Sequence, residues 1–106
     1  METNDLYALI SGDLEADRTT LEKTLGASMA PHDSSYKGEY YLGKLNEEEF
    51  ELRINSDPID GQLAVSGLPT EAILLYVTHT RRPTQIERAL TTQMPDLQLF
   101  TRSQYP

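Results

Sequence analysis

The run Ala72-Ile73-Leu74-Leu75-Tyr76-Val77 is the most apolar stretch of the chain. Its side chains are apolar at odd and even positions alike, a pattern typical of a strand that is covered on both faces. Gly67-Leu68-Pro69-Thr70 breaks the chain just before it. We therefore predict a central strand over residues 72–77 and expect the rest of the fold to form around it.

Further strands are predicted on both sides of this run from apolar or alternating patterns. They cover residues 6–10, 36–42, 49–55 and 97–101, and residues 62–66 form a candidate short edge strand. Residues 27–35 carry no such pattern and are predicted to form a loop.

Two short helices are predicted from start and stop signals. The first covers residues 18–25, where a T-x-x-E capping-box spacing lies in the first turn and Gly26 supplies a left-handed stop. The second begins near Pro83-Thr84, because proline suits a first helical turn, and Pro95 ends it. The order β-α-β-β-(β)-α-β predicts one α+β domain spanning residues 1–106. Its helices lie on one face of a largely antiparallel sheet, in a ferredoxin-like or related arrangement.

The strands over residues 36–42 and 49–55 are predicted to form a hairpin. The second strand alternates, with Phe50, Leu52 and Ile54 pointing inward and Glu49, Glu51, Arg53 and Asn55 pointing outward. Cross-strand charges favour a register with the pairs Tyr41–Glu51, Glu39–Arg53 and Lys44–Glu48. The alternative register, with Tyr41 opposite Glu49, places like charges together. The favoured register leaves Leu45-Asn46-Glu47 as a three-residue loop.

The charge of the chain is strongly negative and unevenly distributed. Seventeen acidic and nine basic residues give a net charge of −8. Residues 1–60 hold fourteen acids and five bases, a net −9, whereas residues 61–106 hold three acids and four bases, a net +1. Nucleic acid is excluded as a partner, because binding it requires cations that neutralise phosphates. A field of this sign raises solubility or steers a basic partner, and composition does not choose between the two.

No targeting or membrane-spanning segment is predicted. The first residues contain no basic region, and the apolar run from Leu6 to Ile10 is too short for the hydrophobic part of a signal peptide. No stretch approaches the roughly 20 apolar residues that a membrane span needs. The chain has no cysteine, so it contains neither a disulfide nor a thiolate metal site. We therefore expect a cytoplasmic protein that does not bind membranes.

The sequence offers few groups for catalysis or ligand binding. A small hydrolase that uses His32 or His79 is an alternative interpretation, but the serines near His32 adjoin it in sequence, whereas catalytic triads converge from separate elements. The segment His79-Thr80-Arg81-Arg82 has the components of an anion site, although a basic surface turn is the preferred interpretation. The acidic residues lack the spacing of a calcium loop. We predict no catalytic residue, metal site, cofactor or small-molecule substrate.

The outward face of the predicted hairpin and the turn beyond it carry the candidate binding site. Carboxylates reach basic side chains of a partner, and tyrosines are common interface anchors. The candidate residues are Tyr36, Glu39, Tyr41, Glu47, Glu49, Glu51, Asp57 and Asp60. A solvated sheet face without a partner gives the same pattern, so two interpretations stay open.

Four short motifs lie along the chain: His32-Asp33-Ser34-Ser35-Tyr36, Gly38-Glu39-Tyr40-Tyr41, Asn55-x-Asp57-x-x-Asp60-Gly61 and Leu74-Leu75-Tyr76-Val77. Together they resemble small acidic immunity proteins of bacterial polymorphic and contact-dependent growth inhibition toxin systems. The resemblance implies a cytoplasmic protein that binds and covers a toxin domain, often a nuclease with a basic active site. That role would fall on the candidate residues above. Size, charge and α/β pattern also resemble acidic dimeric chaperones of type III secretion effectors, but those usually begin with a helix.

Overall fold

Two helices and a six-stranded sheet make up the part of the chain that the computed structural model describes, which is residues 2–10, 12–34, 38–56 and 65–105. The strands are β1 (Glu2–Leu9), β2 (Met29–Ser34), β3 (Gly38–Leu45), β4 (Glu48–Ile54), β5 (Ile73–Thr80) and β6 (Gln98–Tyr105). The helices are α1 (Leu14–Leu25) and α2 (Pro83–Gln93). Neighbouring strands are antiparallel throughout, in the spatial order β2-β3-β4-β5-β1-β6.

The middle of the sheet has a split β-α-β topology. Strand β5 lies between β1 and β4, and β6 pairs with the other side of β1. The order β4-β5-β1-β6, with α1 following β1 and α2 following β5, is that of a ferredoxin-like fold. Strands β2 and β3 extend this sheet on the β4 side. The predicted α+β fold with two helices on an antiparallel sheet is confirmed.

The predicted central strand, residues 72–77, overlaps β5 from Ile73 onward. Leu74, Leu75 and Val77 have no exposed surface, because both faces of this strand are covered. The main core lies between the sheet and the helices. It joins Leu21 and Leu25 of α1 and Ile86 and Leu90 of α2 to the sheet residues Tyr7, Phe50, Leu52, Leu75 and Val77.

Helix α1 begins four residues earlier than predicted, at Leu14 instead of residue 18. Asp13 caps it, since its Oδ1 accepts hydrogen bonds from the N–H groups of Glu15 (3.0 Å) and Ala16 (3.1 Å). The T-x-x-E spacing lies inside the helix and caps nothing. Gly26, at φ 72°, gives the predicted left-handed stop.

The loop predicted over residues 27–35 contains β2, so that prediction is wrong. Among the described strands, β2 forms one edge of the sheet and bonds only to β3; most of its side chains are exposed, and apolar alternation is lost. Met29 alone in this strand is buried among the residues whose side chains the structure describes. Pro31 is tolerated because an edge strand needs no N–H on its outer side. Residues 62–64 of the predicted edge strand lie outside the described residues, and 65–66 are not in a strand.

The β3–β4 hairpin has a register that differs from both registers considered above. Tyr41 lies opposite Leu52, and the pairing of Leu45 with Glu48 leaves a two-residue loop in which Asn46 adopts φ 57°. A one-residue shift moves every side chain to the other face. The predicted register relied on charge pairs worth at most about 1 kcal/mol each. Packing of Tyr41 and Leu45 against the main core outweighs them.

Candidate functional site

Among the described residues, one segment covers part of the sheet face opposite the helices. Residues 65–72, here called the cover segment, pack Leu68 and Ala72 on Leu6, Ala8 and Leu74. These five residues form a second, smaller apolar cluster on that face. Beside the cover segment, on the part of the face formed by β3 and β4, Glu49 is exposed and Tyr40, Leu42 and Glu51 are half-buried.

Hydrogen bonds of Asn55 hold the cover segment against the end of β4. Its side-chain nitrogen lies 3.1 Å from the carbonyl oxygens of Val65, Leu68 and Pro69, and its Oδ1 accepts a hydrogen bond from the Val65 N–H at 2.7 Å. Its backbone N–H donates to the Ala72 carbonyl at 2.8 Å. Asn55 is fully buried, so the prediction that it points outward is wrong. The alternation of inward and outward side chains along β4 therefore ends one residue earlier than predicted.

The accessible part of this face is called the open-face patch and consists of His32, Tyr40, Leu42, Glu49, Glu51 and Tyr76. Strand pairing brings these residues together, because Tyr40 lies opposite His32 and Glu51 lies between Leu42 and Tyr76. The rings of His32 and Tyr40 stack with their centroids 5.5 Å apart. A groove of about 210 Å³ runs among the other four residues and Thr78.

Two cations border the open-face patch. Lys44 lies opposite Glu49 on β3, and Arg53 lies opposite Tyr40 on β4. Arg53 was predicted to point outward and to pair with Glu39, but it lies opposite Tyr40, is only 9% exposed, and its Nε donates to the Ile54 carbonyl. The negative field of the protein comes from the acidic half, residues 1–60.

The candidate residues chosen from the sequence do not form a single surface. Glu49 and Glu51 lie on the open-face patch, but Tyr41 faces the helices, where the Arg18 guanidinium lies 4.7 Å from its ring centroid. Glu39 is exposed on the same side of β3 as Tyr41, and Glu47 is exposed in the hairpin loop. Tyr36, Asp57 and Asp60 lie outside the described residues.

Tyr40, Leu42 and Tyr76 belong to the open-face patch but were missed as site residues. The sequence signal that would have revealed them is the length of the hairpin loop, which consists of Asn46-Glu47. Two-residue loops are the commonest hairpin connection, and asparagine tolerates the positive φ that such a loop requires. This loop gives the observed register and places Tyr40 and Leu42 beside Glu51.

His79 lies at a β-bulge near the end of β5. Its φ is 59°, and the β1–β5 register shifts at this point, between Thr3 and Asp5. The His79 N–H donates to Asn4 Oδ1 at 2.9 Å, and its ring Nδ1 lies 3.1 Å from Glu2 Oε1. These contacts of His79 therefore hold the bulge against β1.

Glu48 forms a nearly buried ion pair that the sequence did not reveal. It was predicted to pair with Lys44, but it accepts hydrogen bonds from Thr80 Oγ1 at 2.6 Å and Arg82 Nη2 at 2.8 Å. Burial raises the pKa of the Glu48 carboxyl, but the bonds from Arg82 and Thr80 outweigh burial and hold it below its usual value. The Arg82 guanidinium is already bound by Glu48. An anion that binds the His79–Arg82 segment therefore has to compete with this carboxylate.

The described residues contain neither a cluster of metal ligands nor a helix that could cross a membrane. Residues 2–10, 12–34, 38–56 and 65–105 contain no cluster of three or more His, Cys, Asp or Glu side chains arranged to hold a metal ion. Within the same ranges, neither helix has the length and apolar character required to cross a membrane.

Comparison with known proteins assigns no family. No protein-family model matches the chain, and no curated protein sequence matches it. A functional proposal therefore depends on the residues and on the geometry of the open-face patch.

Proposed function

We propose that the protein binds another protein through the open-face patch and acts as an immunity protein that neutralises a toxin domain in the cytoplasm. The observation that carries the proposal is the patch itself. Aromatic, aliphatic and carboxylate side chains from four neighbouring strands lie together on the face that the helices do not cover. Interfaces concentrate their binding energy in such aromatic residues surrounded by polar ones.

The shape of the patch favours a protein over a small molecule. Its groove of about 210 Å³ is smaller than the roughly 300–1,000 Å³ typical of ligand pockets. A sheet surface with stacked His32 and Tyr40 rings instead offers a rigid contact area to a protein surface. The proposed activity is therefore inhibition by binding, without catalysis by the protein itself.

The charge of the acidic half favours a basic partner. Residues 1–60 carry a net −9, and a field of this size accelerates encounter with a cationic domain. Nuclease toxins bind anionic substrates and carry basic active sites, so a nuclease domain fits this field. The resemblance of the four motifs to small acidic immunity proteins supports the same partner class.

The proposal expects a toxin gene beside the gene for this chain, and the test uses the domain of that toxin, purified in an inactive form. We expect tight binding whose association rate falls with rising salt. The double variant Glu49→Lys/Glu51→Lys should weaken binding about 10²-fold, since both changes lie within the patch and each places a cation where a basic partner docks. Binding kinetics at low and physiological salt measure both effects.

The matched control is Glu15→Lys/Asp96→Lys, which makes the same charge change at two exposed positions outside the patch. It should slow association but leave the dissociation rate nearly unchanged. Failure of wild-type protein to bind the toxin domain would refute the immunity role. Equal weakening of binding by both double variants would refute the patch as the interface.

A further inference from the structure

A groove of about 600 Å³ lies between the two helices, on the side of the sheet away from the open-face patch. We call it the helix groove. It is lined on α1 by Thr20, Lys23 and Thr24, and on α2 by residues of one helical face between Gln85 and Gln93. Ligand pockets typically have volumes of roughly 300–1,000 Å³. The helix groove is therefore large enough to hold a small organic molecule.

Short side chains create the space in the helix groove. Thr20, Thr24 and Ala89 are half-buried between the helices, whereas the larger Leu21 and Leu90 pack in the main core. Longer side chains at the first three positions would fill the space between two packed helices. Because its walls are two regular helices, the groove holds its lining residues in a fixed arrangement.

The hydrogen-bond donors that remain for a ligand belong to cations and amides. Each threonine hydroxyl in the helix groove donates to the carbonyl oxygen four residues earlier in its own helix, at 2.8 to 3.2 Å. The donors left are the Lys23 ammonium, the Arg88 guanidinium and two glutamine amides. A groove that is rich in donors favours a ligand that is rich in acceptors.

Lys23 and Arg88 carry the positive charge of the helix groove, and neither forms an ion pair with another described residue. The carboxylate beside each of them in sequence is engaged elsewhere. Glu22 Oε2 accepts a hydrogen bond from a backbone N–H of β2 at 2.8 Å, and Glu87 Oε1 lies 2.9 Å from Arg102 Nη2. None of the described residues that line the groove carries a carboxylate. Both cations are therefore available to an anion.

The negative charge of the whole protein limits the size of that anion. Charges are screened over about 8 Å at physiological ionic strength, so a small anion in the groove responds mainly to Lys23 and Arg88. Nucleic acid extends well beyond this distance and meets the repulsion of a chain with net charge −8. A neighbouring hollow shares Thr20 with the groove and is lined by Asp17 and Asp96. The anionic groups of a ligand therefore fit the Lys23–Arg88 end.

We propose that the helix groove binds a small organic polyanion, with its phosphate or carboxylate groups between Lys23 and Arg88. Arginine binds either group through two parallel hydrogen bonds, and lysine adds a compact charge from the opposite helix. The glutamine amides of α2 bond to other polar atoms of the ligand. The site lies on the opposite face from the open-face patch, so it is independent of the proposed immunity function.

Amide NMR spectra recorded during titration test the site, with ADP as the phosphate probe and citrate as the carboxylate probe. We expect saturable shifts at residues 20–24 and 85–93 with at least one probe, at a dissociation constant below about 1 mM. Saturation by ADP alone identifies a phosphate ligand, and saturation by citrate alone identifies a polycarboxylate. Adenosine, which lacks phosphate, should bind at least about 10-fold more weakly than ADP.

Lys23→Gln/Arg88→Gln should weaken binding of the probe about 10²-fold, since each hydrogen bond to a charged group contributes about tenfold or more. The matched control is Lys44→Gln/Arg81→Gln, which removes the same charge at two exposed positions outside the groove. It should change binding by less than about twofold, because those charges are screened from the groove.

Binding of neither probe refutes the proposal, as does equal binding of adenosine and ADP. Unchanged binding by Lys23→Gln/Arg88→Gln excludes the two cations as the site. Equal weakening by the two double variants would mean that overall charge attracts the anion, which also overturns the proposal. Shifts centred on residues 79–82 would place the anion at the end of β5 instead.

Discussion

Asn55 is the residue that decides how the second face of the sheet is shaped. It is fully buried and makes five polar contacts with residues 65, 68, 69 and 72 through one side chain and one backbone N–H. A buried side-chain amide can bond to two backbone segments at once, because it carries both hydrogen-bond donors and acceptors. The cover segment, which has no helix or strand of its own, therefore depends on this side chain for its position.

Replacing Asn55 with alanine should destabilise the protein by about 2–4 kcal/mol, because the Val65 N–H and several carbonyl groups lose their partners in a buried site. Chemical denaturation measures the free energy of unfolding. Asn46→Gly is a suitable control, since Asn46 is an exposed asparagine at positive φ, where glycine is equally tolerated. A loss below about 1 kcal/mol for Asn55→Ala would show that the cover segment is held by other contacts.

The Glu48 carboxylate makes the free energy of unfolding depend on pH in the acid range. Its folded-state pKa is lowered, so the ion pair contributes fully above the unfolded-state value of about 4.3. The contribution disappears as the pH falls below that value, through the folded-state pKa. Glu48→Gln should therefore lower the free energy of unfolding at pH 7 and flatten its fall below about pH 4.5.

Unfolding curves recorded at several pH values check this pH dependence. Glu47→Gln removes an exposed neighbouring carboxylate and serves as the control for the loss of one negative charge. An unchanged slope for Glu48→Gln in the acid range would mean that the bonds to Arg82 and Thr80 do not stabilise the folded state.

Elements were predictable from the sequence wherever a local signal agreed with the final packing. The buried strand at 72–77, the glycine stop at Gly26 and the proline start of α2 all carry such signals. Strand β2 carries none, because an exposed edge strand needs no apolar pattern. The hairpin register and the members of the open-face patch were missed together, since both depend on whether Tyr40 or Tyr41 points toward the helices. That choice is made by the two-residue hairpin loop together with contacts to a core that is distant in sequence.

The observed hairpin register predicts a coupling between Lys44 and Glu49, which lie directly opposite each other. Lys44→Glu should destabilise the fold, and the swap Lys44→Glu/Glu49→Lys should recover most of the loss. A double-mutant cycle should give an interaction of about 0.5 kcal/mol. The same cycle on Lys44 and Glu48 is not interpretable as a pair, because Glu48 lies on the other face with Arg82. Zero coupling between Lys44 and Glu49 would place the strands in a different register.

The whole molecule carries its negative charge on the half of the sequence that forms β1 to β4. This concentration opposes folding through repulsion between carboxylates, and salt screens that repulsion. Raising the salt concentration from about 0.1 M to about 1 M shortens the screening length from about 10 Å to about 3 Å. The free energy of unfolding should therefore rise by about 1 kcal/mol, which denaturation at each salt concentration measures.

A less acidic variant provides the comparison for the salt experiment. Glu15→Lys/Asp96→Lys changes the net charge from −8 to −4 and should show a smaller rise with salt. The buried Asp5–Arg102 pair is shielded from solvent and should contribute little to either response. A fall in stability with salt would show that attraction among surface charges exceeds their repulsion.

The position of β1 in the sheet determines when the protein can fold during its synthesis. β1 precedes the other strands in the sequence, yet it lies between β5 and β6. Its nearest strand pairing along the chain joins Leu9 to Ile73, a separation of 64 residues (73 − 9). Helix α1 and strands β2 to β4 can form on the growing chain, but β1 has no neighbouring strand to pair with until β5 has been synthesised. The nascent protein is therefore most exposed to aggregation and to chaperones between the synthesis of these two strands.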